Sequence, residues 1–72
     1  MSSIDKIKNG DTVRRLITYQ GKRVLEQIQP NKKEHGCWTR FMLPTNGDKS
    51  QAIMHNYALT IDEVLQLLTD KF

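Results

Sequence analysis

Nine residues of this 72-residue chain could act together on one partner: Arg14, Arg15, Tyr19, Lys22, Arg23, Lys32, Lys33, Trp38 and Arg40. Lys and Arg neutralise phosphates and aromatic faces stack on unpaired bases, so cations interleaved with Tyr and Trp form a nucleic-acid-binding set. The charge is also placed unevenly. Residues 1–40 hold nine Lys/Arg against four Asp/Glu, net +5, whereas residues 41–72 hold two against four, net −2. A basic front and an acidic rear suit a polyanion met by the front. The competing reading is that an overall charge of +3 only keeps a small protein in solution.

Other chemistries find less support. His35, Cys37 and His55 are metal-ligand types, but His-x-Cys is neither the C-x-x-C nor the H-x-x-x-H spacing of zinc sites, and a fourth ligand is missing. Cys37 paired with His35 or His55 could supply a nucleophile and a base. Such a pair also needs a pocket and an oxyanion hole, for which so short a chain leaves little room. No G-x-S-x-G, glycine-rich phosphate loop or clustered carboxylate pair occurs. Asp62 and Glu63 are accounted for by a helix start, where acids suit the dipole. The sequence therefore predicts a non-enzymatic protein without metal or cofactor, in which Cys37 packs as a small hydrophobe.

The elements that would position these residues are legible. Thr60 and Glu63 have capping-box spacing, with Leu59 and Val64 placed as a hydrophobic staple, so a helix is predicted from Ile61 to about Lys71. Ile61, Val64, Leu65, Leu68 and Phe72 form its apolar stripe. Ser3 as N-cap, Ile4 and Ile7 three apart, and Asn9-Gly10 as a stop predict a short N-terminal helical turn. β-formers over Thr12–Tyr19 and Val24–Gln29, with a glycine turn at Gln20-Gly21 or Gly21-Lys22, predict a hairpin that Pro30 closes. A polar loop then leads to a third strand over Cys37–Leu43, stopped by Pro44. Asn46-Gly47 centres the next turn. Ala52–Ala58 reads as a fourth strand, with a helix over Ser50–Tyr57 as the competing assignment because Gln, Ala and Met tolerate helices.

These elements amount to one α+β domain over residues 1–72: a small antiparallel meander of three to four strands, a C-terminal helix on one face and a short N-terminal helical turn. One helix covers one face, so the other is expected to present large side chains, Trp38 and Met42 among them, beside arginines, as interaction surfaces do. A core this small, with Cys37 the only cysteine and no internal disulfide available, makes a homodimer a natural staple. The N-terminus lacks an apolar signal region, and no run approaches the ~20 apolar residues of a membrane span. With one free thiol, a cytoplasmic location without membrane contact is expected.

In element order alone, strands followed by a C-terminal helix resemble the single-strand-binding transcriptional coactivators and the arm-binding domains of tyrosine recombinases, which is analogy at the level of fold. Two functions remain open on sequence: a DNA- or RNA-binding module acting through a basic hairpin face, or a small modulator of phage or plasmid type that binds a host protein. The second would use Trp38, Met42 and Arg40 as anchors, since interface hot spots favour Trp and Arg.

Overall fold

The computed structural model describes residues 2–69. Two helices and one four-stranded antiparallel sheet follow in the order α1 (Ser3–Lys8), β1 (Val13–Tyr19), β2 (Lys22–Pro30), β3 (Trp38–Leu43), β4 (Ile53–Leu59) and α2 (Ile61–Thr69). The strands lie in sheet order β1-β2-β3-β4, a meander as expected.

Local chemistry sets most boundaries. Ser2, one residue ahead of the expected cap, accepts the Asp5 N–H and starts α1. Gly10 at φ +81° ends it, its N–H bonded to the Ile7 carbonyl and that of Asp11 to Lys6. This is the Schellman pattern, which satisfies carbonyls left free at a helix end. The β1–β2 turn is the two residues Gln20 and Gly21, both at positive φ as a type I′ hairpin requires. Pro30 is the last residue of β2 and pairs with Trp38. Residues 49–51 make only a 3₁₀ turn, so the helical tendency there stops before β4. At Thr60 the box closes in both directions: Glu63 N–H donates to the Thr60 hydroxyl and Thr60 N–H donates to the Glu63 carboxylate.

The core is built from Ile7, Val13, Ile28, Leu59 and Val64, with Trp38, Ile61, Leu67 and Leu68 packed against it. Both staple residues, Leu59 and Val64, lie in this cluster. The expected helix stripe is rotated slightly: Leu67 joins the core, while Leu65 is half-buried outside the cluster. Phe72 and the predicted helix end at Lys71 lie outside the described residues.

Val13 pairs with Ile28 and Ile28 with Arg40, so these three share the face on which the helices sit. Alternation puts Arg15, Glu26 and Met42 on that face as well. This corrects the expectation for Trp38 and Met42. Trp38 is half-buried against the core, and Met42 and Arg40 are only 7% and 9% exposed. The opposite face carries Arg14, Leu16, Thr18, Arg23, Leu25 and Gln27. The β3–β4 connection folds over part of it, with Gly47 beside Leu25 and with Lys49 and Ala52 beside Phe41 and Leu43. That is why β2 is buried on consecutive residues from Glu26 to Ile28 while the β1 part of the face stays open. No helix among the described residues is long and apolar enough to cross a membrane.

Candidate functional site

The cations of the sequence-predicted set divide into two that are ion-paired beneath the helices and five that are exposed. Arg15 and Arg40 flank Glu26, which is fully buried under the helices. Arg15 Nε donates to Glu26 Oε1, and Arg40 Nε donates to Glu26 Oε2 at 2.7 Å. Arg15 also donates through Nη2 to the Leu67 carbonyl at 2.9 Å, in the last turn of α2. That turn has no cation of its own, and a positive group there satisfies a free carbonyl and suits the helix dipole. Arg40 reaches Asn56 Oδ1 at 3.4 Å. A cleft of about 430 Å³ between α2 and β4 is lined by Arg40 with Asp62 and Glu63, so its one cation is faced by two carboxylates and the cleft does not favour an anion. These two arginines hold the fold together.

The remaining cations of the set stay at the surface, in three places. Arg14 lies on the open face. Lys22 and Arg23 begin β2 at the hairpin turn, where Arg23 Nη1 donates to Thr18 Oγ1 at 3.3 Å. Lys32 and Lys33 lie past the other end of β2, separated from the turn by the length of that strand. Their loop is built as a turn: Asn31 Oδ1 accepts the N–H groups of Lys33 and Glu34, and Asn31 Nδ2 donates to the Tyr57 carbonyl on β4. Neither aromatic is free for stacking on bases. Trp38 is half-buried against the core, and Tyr19 meets His55 edge-to-face at 5.2 Å.

Beside Arg14 the open face has a cleft of about 520 Å³ lined by Lys6, Thr12, Arg14, Gln27, Gln29 and Lys49. Arg14 Nε donates to Gln27 Oε1 at 2.7 Å, and Gln27 Nε2 donates to Gln29 Oε1 at 2.7 Å. Lys49 is carried by the 3₁₀ turn that Asp48 caps. The Asp48 carboxylate accepts from the Ser50 hydroxyl, the Ser50 N–H and Gln51, and these bonds, the hydroxyl foremost, hold its pKa below the usual aspartate range. Both ion pairs among the described residues belong to Glu26, so Lys6, Arg14 and Lys49 have no carboxylate partner there.

Sequence reasoning did not single out Lys6, Gln27, Gln29 or Lys49. The spacing of Gln27 and Gln29, two apart on a strand, was a usable signal, because it places both on one face. For Lys49 the sequence carries no such signal, since its position depends on how the β3–β4 connection folds back. No protein-family model, curated protein or solved structure matches the chain.

Proposed function

We propose that this protein is a non-enzymatic module that binds the phosphate backbone of DNA or RNA with the open face and turn of its basic hairpin. The observation that carries the reading is the division of the arginines: those beneath the helices are ion-paired with Glu26, while Arg14 and Arg23 on the open face have no carboxylate partner among the described residues. With Lys22, Lys32 and Lys33 they spread positive charge along a molecule whose longest extent is 29 Å. That length matches roughly eight base pairs at ~3.4 Å each. With Trp38 packed against the core and Tyr19 engaged by His55, phosphate contact rather than base stacking supplies the affinity.

Titration of labelled single- and double-stranded oligonucleotides at ~50 mM and ~200 mM salt tests this, since binding through phosphates weakens steeply over that range. Saturable, salt-sensitive binding is expected. Arg14→Ala and Arg23→Ala should each lower the salt slope by about one, whereas Arg15→Ala and Arg40→Ala should act on stability instead. No binding at ~50 mM salt, where screening is weakest, ends the reading.

A protein partner is the second reading, and a different surface favours it. The anchors expected from sequence, Trp38, Met42 and Arg40, are turned inward, but β4 exposes Ile53, Met54 and Tyr57 at 69%, 51% and 47%. Its seven residues, Ile-Met-His-Asn-Tyr-Ala-Leu, include no Asp, Glu, Lys or Arg. Edge strands that stay unpaired are usually blunted by charge, so an uncharged, apolar edge suits contact with another protein or with a second copy of this chain.

A further inference from the structure

We infer that the cleft between Lys6, Arg14 and Lys49 is a seat for one phosphate-type oxyanion, oriented by the Gln27–Gln29 pair. The direction of the hydrogen-bond chain is fixed at Arg14. Arginine has no acceptor, so the Gln27 atom facing Arg14 Nε must be its carbonyl oxygen. The Gln27 amide nitrogen therefore faces Gln29, and the Gln29 atom that receives it must be an oxygen. Each carboxamide oxygen along the chain is thus already bonded to a donor. The donors left over are the terminal guanidinium nitrogens of Arg14 at one end and the Gln29 amide nitrogen at the other.

The surroundings repeat that bias. Lys6 from α1 and Lys49 from the 3₁₀ turn bring two ammonium groups to the same cleft, and Thr12 adds a hydroxyl. No carboxylate lines it, although Asp5 and Asp11 are close to Lys6 and Thr12 in sequence. The nearby carboxylate of Asp48 is occupied by Ser50 and Gln51. Gln27 is only 9% exposed, so the middle of the chain is fixed by packing and cannot reverse to offer its oxygen. A concave site with three cations, oriented amide donors and no competing acid suits a tetrahedral oxyanion with several acceptor oxygens. A metal cation or an amine would find no carboxylate to hold it and would meet three like charges.

The inference rests on the nucleic-acid reading only for the source of the phosphate, which is either a free ion or a nucleotide unit of a strand. Two measurements on the full chain separate these. In the first, inorganic phosphate is titrated against chloride at matched ionic strength, and the side-chain signals of Gln27, Gln29 and Arg14 are followed by NMR. Saturable shifts confined to the cleft are expected, and they should vanish in Gln29→Glu. That variant preserves shape and the bond from Gln27 while converting the outward donor into a carboxylate. Shifts that do not saturate, or that persist in Gln29→Glu, overturn the inference. In the second, oligonucleotide binding by Gln29→Glu should show a salt slope smaller by about one. If wild type binds phosphate but no oligonucleotide, the seat stands for a free anion and the nucleic-acid reading fails. If oligonucleotide binding is untouched by Gln29→Glu and phosphate gives no saturable shift, the reading stands and the seat does not.

Discussion

Glu26 decides what the arginines around it can do. A carboxylate taken fully out of water is tolerable only when its oxygens are bonded, and here Arg15 takes one and Arg40 the other. In return both guanidinium groups are fixed beneath α2 and withdrawn from solvent, with side chains 24% and 11% exposed. Glu26→Gln removes the negative charge and leaves two cations close together in a partly dry site. It should cost about 3–5 kcal/mol, the usual penalty for breaking a buried ion pair from one side. Urea denaturation measures this directly. A loss well under 1 kcal/mol would mean that the three side chains are solvated and contribute no more than a surface pair. Arg14 makes the contrast: one residue away in sequence, it faces a glutamine amide instead of an acid and keeps its full charge for a partner.

Helix α2 is specified at its start by bonds and along its length by packing. The Thr60–Glu63 box satisfies N–H groups that no helical carbonyl can reach, and Thr60→Ala should cost roughly 1 kcal/mol. Its rotation about its axis is set by the sheet, because Arg15 ties the Leu67 carbonyl to β1 and draws that turn inward. Leu67 therefore packs against the core and Leu65 lies outside the cluster, although simple periodicity favours Leu65. Leu67→Ala should be the more damaging of the two, approaching the roughly 2–5 kcal/mol of buried large-to-small changes, with Leu65→Ala clearly milder. Thermal melts of both variants check the order. If Leu65→Ala is the worse, the helix is rotated the other way.

The molecule as a whole has two unlike edges. Strand β1 carries Arg14 and Arg15, and strand β4 carries no charged residue. Self-association through β1 would set like charges against one another, which destabilises a strand pair, whereas β4 meets no such penalty. Two register shifts against β3 interrupt the β4 ladder, and the Tyr57 carbonyl is taken by Asn31 and Thr39. Contact there falls to the side chains of Ile53, Met54 and Tyr57 rather than to a continued sheet. Sedimentation equilibrium at micromolar concentration should find a species near twice 8.4 kDa that Met54→Lys returns to the monomer mass. A monomer mass for the wild type leaves the β4 edge to a different protein or to none.

Sequence alone determined the features that depend on neighbours along the chain. The Thr60–Glu63 cap, the Gly10 and Gly21 stops, the hairpin and the meander order each follow from a few adjacent residues with narrow conformational choices, and strand alternation placed Arg14 and Arg15 on opposite faces. What alternation cannot say is which face the helices cover, because both faces of β3 carry apolar side chains: Trp38 and Met42 on one, Phe41 and Leu43 on the other. Only tertiary packing decided that. It brought Glu26 between Arg15 and Arg40 beneath the helices, left Arg14 and Arg23 on the uncovered face, and folded Lys49 back beside Gln27 and Gln29. The physical reason is range: caps and turns are closed by bonds within a few residues, whereas the field at each cation is set by groups distant in sequence that only the folded chain brings near.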